Sequence, residues 1–119
     1  MPIRCLIVDD SPAFLAVAQR LLPAHGLDVV GVARDSREAM TQLDRVRPDV
    51  ALVDVGLGRE SGFDLARRIV ASHRAVDVVL ISTHEEEDLR DLVELSPAAG
   101  YLTKTCLSAN TVGAVTGRR

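Results

Sequence analysis

Two hydrophobic patterns alternate along the chain. In the first, a short run of neighbouring positions is mostly apolar, as in a strand that is covered on both faces of a parallel sheet. Such runs predict strands over residues 3–8, 28–33, 50–53, 76–81 and 99–102. In the second, apolar residues recur every three or four positions, which is the spacing of one helix face. The chain therefore predicts five strands, each followed by a helix.

Residue types at the helix ends predict where helices begin and stop. Ser11 and Pro12 supply a hydroxyl N-cap and a proline at the first helical position, and Gly26 supplies a stop. Asp35, with Glu38 three residues later, predicts a capping box at the start of the second helix.

The remaining helices are predicted from spacing alone. They cover residues 63–70, 85–95 and 107–115, and residues 55–62 are predicted to be a glycine-rich loop. The last segment contains Thr111, Val112 and Gly113, which are poor helix formers. Strands that alternate with helices pair in parallel through right-handed crossovers. We therefore predict an α/β fold, a doubly wound (βα)₅ three-layer sandwich around a five-stranded parallel sheet.

Composition narrows the class of protein. A length of 119 residues fits one domain, residues 1–119, and 47% hydrophobic and 26% charged residues are typical of a globular protein. The net charge is −3 and the thirteen arginines are scattered, so we expect no direct nucleic-acid binding by this chain. Neither a signal peptide nor a membrane span is present in the pattern, which predicts a cytoplasmic protein with reduced cysteines.

Polar residues gather where the predicted strands end. The first strand is followed by Asp9 and Asp10, the third by Asp54, the fourth by Ser82, and the fifth by Lys104 after Thr103. Because ligands of open parallel sheets bind outside the carboxyl ends of the strands, these side chains are expected to converge.

The residue types at this edge favour phosphoryl chemistry. Three crowded carboxylates repel one another unless a cation lies among them. Oxygen ligands without His or Cys favour Mg²⁺ or Mn²⁺, and Mg²⁺ commonly binds one or two carboxylates together with a phosphate. A lysine and a hydroxyl would hydrogen-bond phosphoryl oxygens, and one carboxylate would be the nucleophile.

The sequence resembles the receiver domain of bacterial two-component response regulators over essentially its whole length. The resemblance lies in four segments, in the order and at the separations usual in that family. They are LIVDDS at residues 6–11, DVALVD at 49–54, VLIST at 79–83 and AGYLTK at 99–104. The helix-turn-helix transcription-factor branch is the most similar, because of GYL at 100–102 and EEED at 85–88. The resemblance implies the flavodoxin-like strand order 2-1-3-4-5.

The resemblance also implies a role for each residue at the predicted site. Asp54 would be the phosphoacceptor, with Asp9, Asp10 and the backbone carbonyl of Gly56 completing a Mg²⁺ site. Lys104 would pair with Asp54 and the phosphoryl group. Ser82 would be the switch hydroxyl and Tyr101 the aromatic residue that moves with it.

The resemblance implies partners as well. A sensor histidine kinase would donate the phosphoryl group. A second copy or an output domain would bind through the face between the fourth and fifth helices. The chain suits either a single-domain regulator or the N-terminal half of a transcriptional regulator.

Three positions depart from the family pattern. Gly58 and Thr105 stand where proline is common, and Thr83 stands where a small residue is usual. Thr83 and the poor helix formers of the last segment leave open a receiver-like interaction module that is not phosphorylated, although the complete set of acids, hydroxyl and lysine argues against it. A phosphatase of the haloacid dehalogenase type also uses an aspartyl nucleophile, but it needs a second acid where Gly56 stands here.

Overall fold

The computed structural model describes residues 2–83 and 89–118, which form a parallel sheet with helices on both faces. The strands are β1 Ile3–Val8, β2 Leu27–Ala33, β3 Val50–Asp54, β4 Gly56–Leu57, β5 Glu60–Ser61, β6 Asp77–Ser82 and β7 Gly100–Thr103. The α-helices are α1 Pro12–Leu21, α2 Ser36–Val46, α3 Gly62–Ser72, α4 Arg90–Leu95 and α5 Ala109–Thr116. Short 3-10 turns follow α1 and β7, at Leu22–His25 and Lys104–Cys106.

The five long strands confirm the predicted sheet. Their order is β2-β1-β3-β6-β7, which is 2-1-3-4-5 when the five are counted alone, and every neighbouring pair is parallel. Their bounds agree with the sequence prediction to within one residue at each end, because each strand is a nearly continuous apolar run.

Alternate strand residues face two separate hydrophobic cores. One core contains Leu6, Val53 and Leu80 and is covered by α2 and α3, with Val93 of α4 packed at its side. The other core is covered by α1 and α5. Its fully buried strand residues are Cys5, Ile7, Leu27, Val50, Leu52, Val79 and Ile81. The sheet is therefore the central layer of a three-layer sandwich.

The helix caps agree with the sequence in most respects. Ser11 accepts a hydrogen bond from the Phe14 amide, and Pro12 opens α1 as predicted. At α2 the predicted capping box is only half formed. Asp35 accepts from the Glu38 amide, but the Glu38 carboxylate accepts from Arg34, one residue before the cap, at 3.3 Å.

Two further predictions meet different outcomes. Residues 55–62 were predicted to be a loop, but they contain a two-stranded antiparallel hairpin, β4–β5. A short hairpin of this kind has too few apolar side chains to produce a recognisable pattern. The predicted fourth helix spans residues 85–95, and its start lies outside the described residues.

The two cysteines lie in contrasting surroundings, and both are free thiols. Cys5 is fully buried in β1. Burial, and then the charges of Asp49 and Asp28, raise the pKa of the Cys5 thiol to about 12. Cys106 is exposed at the end of the 3-10 turn that begins at Lys104.

Gly62 allows the start of α3 to pass against the end of β3. A Cβ atom at this position would lie 2.0 Å from the Asp54 carbonyl oxygen and 2.8 Å from the Val55 Cα. The Gly62 amide also donates to the Val55 carbonyl, at 2.9 Å. The backbone of Asp54 is thus packed directly against a residue that has no side chain.

Replacing Gly62 by Ala should destabilise the protein by about 3 kcal/mol, because backbone rather than a flexible side chain must move. The measurement is urea unfolding followed by far-ultraviolet circular dichroism. Gly56→Ala is the matched control, since an added Cβ there has no atom within 4 Å. It should change the free energy of unfolding by less than about 0.5 kcal/mol. Equal stability of the two variants would contradict this packing.

Candidate functional site

The register of the sheet brings the predicted site residues to one edge. Val8 is paired with Val53, so that Asp9 and Asp54 leave adjacent strands side by side. Ser82 is paired with Thr103, which places Lys104 one residue beyond that pair. The carboxyl ends of four strands therefore supply the side chains that the sequence predicted to converge.

Asp9 is a buried carboxylate held from two sides. Its own amide donates to the Ala33 carbonyl at 3.0 Å, and its Oδ1 accepts from the Ser11 amide at 2.9 Å. The residue has 0% exposure. The bond to Ser11 ties the orientation of Asp9 to the first turn of α1, since Ser11 is the N-cap of that helix.

Lys104 lies between Asp9 and Asp54. Its Nζ is 2.5 Å from Asp9 Oδ2 and 3.1 Å from Asp54 Oδ2. The contact with Asp9 is an ion pair without hydrogen-bond geometry, and within the described residues Asp9 Oδ2 is buried without a hydrogen-bond partner. The bond to Asp54 is a well-formed hydrogen bond. One ammonium therefore serves two carboxylates.

The three charges alter one another's ionisation. Burial raises the pKa of Asp54, and the charge of Asp9 adds to the rise, while hydrogen bonds from the Gly56 amide and Lys104 oppose it. For Lys104, burial works toward a lower pKa, but the close contacts with the Asp9 and Asp54 carboxylates outweigh it and raise the pKa. The lysine is therefore held in its charged form beside the carboxylates.

The acidic cluster fits a divalent cation. Asp9, Asp10 and Asp54 each offer one carboxylate oxygen, and these atoms all lie within 4.8 Å of one another. Asp10 is exposed, Asp54 is partly buried and Asp9 is buried, so the cluster opens to water on one side. The unsatisfied Oδ2 of Asp9 and the purely oxygen donor set match the preference of Mg²⁺ or Mn²⁺.

The other predicted residues surround this cluster. Gly56 donates its amide to Asp54 Oδ1 at 3.2 Å, which places its backbone beside the predicted acceptor. Ser82 is 5% exposed at the end of β6, and Thr83 after it is exposed. Tyr101 is half-buried on β7 and packs against the core under α3 and α4.

Sequence reasoning missed one residue at the site. The Nζ of Lys104 lies 4.4 Å from the centre of the Phe14 ring, within the range of a cation–π interaction. In the sequence, Phe14 contributes only to the apolar spacing that predicts the first helix. Its place four residues after Asp10, at the start of α1, was the available signal, because that turn adjoins the ends of the strands.

Comparison with known proteins agrees with this geometry. The profile of the response regulator receiver domain matches residues 5–116. The chain belongs to the response regulator receiver family. The function of that family is a phosphorylation switch in two-component systems. The receiver is 32% identical over 114 residues to the response regulator GacA of Pseudomonas viridiflava, covering 95% of the chain and 53% of GacA. It thus spans about half the length of this curated relative.

Solved structures show the same fold. The receiver domain of the putative response regulator NarL from Mycobacterium tuberculosis has a TM-score of 0.82 at 28% identity, with 98% of each chain covered. A LuxR-family two-component response regulator from Aurantimonas has a TM-score of 0.83 at 27% identity, covering all of this chain and 89% of that one. These relatives place the receiver among regulators that include transcription-factor types.

Removal of the Lys104 charge should destabilise the metal-free receiver. Lys104→Met leaves Asp9 and Asp54 without a cation and should lower the free energy of unfolding by about 3 kcal/mol at neutral pH. Urea unfolding with a chelator present is the measurement. Arg67→Met is the control, because Arg67 and Asp64 form an ion pair that is 54% and 74% exposed. Its effect should be below about 1 kcal/mol.

The Lys104→Met variant should also show how Lys104 affects the pKa of Asp54. Lys104 opposes the rise in the pKa of Asp54, so Lys104→Met should raise that pKa further, measured by carboxyl NMR. When the pKa of Asp54 is higher in the folded state than in the unfolded state, its protonated form stabilises the fold. That stability is present at low pH and is lost as the pH rises through the folded-state pKa. The deficit of Lys104→Met should therefore shrink as the pH falls toward 3.8, the ordinary value for Asp54. A deficit independent of pH would contradict the pairing.

Proposed function

We propose that residues 1–119 form one receiver domain in which Asp54 accepts a phosphoryl group from a sensor histidine kinase. The observation that carries the proposal is the meeting of Asp9, Asp10, Asp54 and Lys104 in one cluster at the sheet edge. Membership of the receiver family supports the same role. The kinase partner agrees with the cytoplasmic location expected from the sequence.

Each residue has a separate task in the proposed reaction. An Asp54 oxygen attacks the phosphorus atom, and the bond from phosphorus to the kinase histidine nitrogen breaks with its electron pair leaving on that nitrogen. Asp9, Asp10, Asp54 and the Gly56 carbonyl would hold Mg²⁺, or Mn²⁺, which when bound neutralises charge on the phosphoryl oxygens. Lys104 would move its hydrogen bond from Asp54 to a phosphoryl oxygen.

The proposed output follows from the added charge. A phosphoryl group on Asp54 brings about two negative charges and three acceptor oxygens to the end of β3. Ser82 would hydrogen-bond one of these oxygens, and Tyr101 would change position with it. The two arrangements would be a two-state equilibrium that phosphorylation shifts.

The output surface would lie between α4 and α5. Leu92 and Leu95 of α4 are 46% and 78% exposed, so this face offers apolar contact area to a second copy or to an output domain. Any contact with DNA would come from such a partner or domain.

The exposed apolar residues of α4 also favour a second candidate, an interaction module that works without phosphorylation. The two candidates differ in whether Asp54 takes the label. A phosphatase of the haloacid dehalogenase type is disfavoured because Gly56 stands where such an enzyme needs a second acid. Turnover of a generic phosphate ester would instead support it.

Incubation with a small acyl phosphate and Mg²⁺ should add about 80 Da to the chain, the mass of one phosphoryl group. Intact mass spectrometry is the measurement. Asp54→Asn should abolish the addition, and so should a chelator. Asp64→Asn, which removes an exposed carboxylate on α3, is the matched control and should label like the parent. A label that persists in Asp54→Asn would move the acceptor elsewhere, and an unlabelled parent would favour the interaction module.

Replacement of Ser82 should separate labelling from switching. Ser82→Ala should still take the label on Asp54, but the ring signals of Tyr101 should shift far less on phosphorylation than they do in the parent. Proton NMR suits this test because Tyr101 is the only tyrosine. Thr83→Ala is the matched control and should switch normally. If Thr83→Ala loses the shift instead, its hydroxyl rather than that of Ser82 is the switch.

A further inference from the structure

The hairpin that follows Asp54 lies against the acidic cluster. β4 and β5 pair Gly56 with Ser61 and Leu57 with Glu60. Gly58 at the hairpin tip has a φ of +67°, and a Cβ atom there would lie 3.4 Å from Asp10 Oδ2. The position of this hairpin therefore determines what stands beside Asp10 and Asp54.

The hairpin has little stiffness of its own. Each of its strands has two residues, and isolated two-stranded hairpins are at best marginally stable. Gly58 adds conformational freedom at the tip. Leu57 holds β4 in the core, where it is 4% exposed, so it is the tip and β5 that need a further contact to stay in one place.

Glu60 provides such a contact. Its Oε1 accepts a hydrogen bond from the Ser36 amide at 2.9 Å, and its Oε2 accepts another from the Ser36 hydroxyl. Ser36 is the first residue of α2 and is 8% exposed, whereas Glu60 is exposed. Both bonds are charge-assisted, and a carboxylate at a helix N-terminus is also favoured by the helix dipole.

The ionisation of Glu60 reflects the same contact. The hydrogen bonds from the Ser36 hydroxyl and amide lower the pKa of Glu60, although the nearby charge of Asp35 works against them. The carboxylate form of Glu60 is therefore the form that holds Ser36.

Helix capping alone does not account for this contact. The N-cap of α2 is Asp35, whose side chain already accepts from the Glu38 amide at 2.8 Å. Glu60 comes from a segment 24 residues further along the chain. Its bonds link the hairpin to α2, which is packed on the sheet through the buried residues Ala39 and Leu43.

We propose that Glu60 is a positioning residue for the phosphoacceptor site. Its two bonds to Ser36 clamp the β4–β5 hairpin to α2, so that the Gly56 amide stays on Asp54 and the hairpin tip stays beside Asp10. The part of this inference that concerns metal binding rests on the proposed function. The clamp itself does not.

The first test measures Mg²⁺ affinity by isothermal titration calorimetry. Glu60→Ala should weaken binding about tenfold, the change typical when a residue that orients metal ligands is removed. Glu60→Gln keeps one acceptor oxygen for the Ser36 amide and should fall between Glu60→Ala and the parent. Ser36→Ala, which loses the hydroxyl bond and keeps the amide, should also be intermediate.

Asp35→Ala is the matched control for helix stability. It removes the N-cap bond of α2 and leaves the bonds between Glu60 and Ser36 in place. Its Mg²⁺ affinity should stay within about twofold of the parent, although its unfolding midpoint falls. Equal weakening in Asp35→Ala and Glu60→Ala would overturn the positioning role, because loss of helix stability would then explain both.

The second test needs no metal. Order parameters from ¹⁵N relaxation should fall for the amides of residues 56–61 in Glu60→Ala and remain at parent values in Asp35→Ala. Unchanged order parameters would overturn the clamp. Lower order parameters with parental Mg²⁺ affinity would overturn the positioning role. A parent chain that binds no Mg²⁺ would count against the proposed function, and the clamp would then be judged by the order parameters alone.

Discussion

The central constraint in this receiver is electrostatic. Asp9 and Asp54 stand side by side where water has limited access, and Lys104 is the ammonium that both of them share. At such distances and at reduced dielectric, charges of one sign repel strongly, so this arrangement persists only with a cation in contact. Burial first, and the charge of Asp9 after it, keep the pKa of Asp54 raised although Lys104 is in contact with both carboxylates. A divalent ion would supply the charge that Lys104 alone does not.

The strand pairing of the sheet holds this cluster together. Parallel register fixes Asp9 beside Asp54, and the pairing of β6 with β7 brings Ser82 and Lys104 to the same edge. Gly62 lets α3 start close to the Asp54 backbone. Among the described residues, 2–83 and 89–118, no helix has the length and apolar character needed to cross a bilayer.

Much of the fold and of the candidate site could be predicted from the sequence, for physical reasons. Buried strands leave continuous apolar runs, so the sheet and the strand ends were readable, and with them the meeting of Asp9, Asp54 and Lys104. The poor helix formers of the last segment do form α5. Ser108 and Thr111 make a reciprocal capping box, and Val112 is fully buried, so tertiary packing outweighs propensity.

Other features left no readable pattern. The bond between Glu60 and Ser36 joins segments that only the folded chain brings together, and an exposed glutamate in a loop looks the same with or without it. The contact of Phe14 with Lys104 depends likewise on distant parts of the chain. For α2, the sequence correctly identified Asp35 as the N-cap. It did not show that the Glu38 carboxylate would accept from the Arg34 amide, because that depends on the local backbone geometry.

The unequal surroundings of the two thiols have a practical consequence. With a pKa of about 12 and no exposure, Cys5 has almost no thiolate at neutral pH and no access to reagents. Cys106 is open to solvent two residues after Lys104. A maleimide dye would therefore attach at a single place, next to the site and on the native sequence, and could report events there as a change in fluorescence.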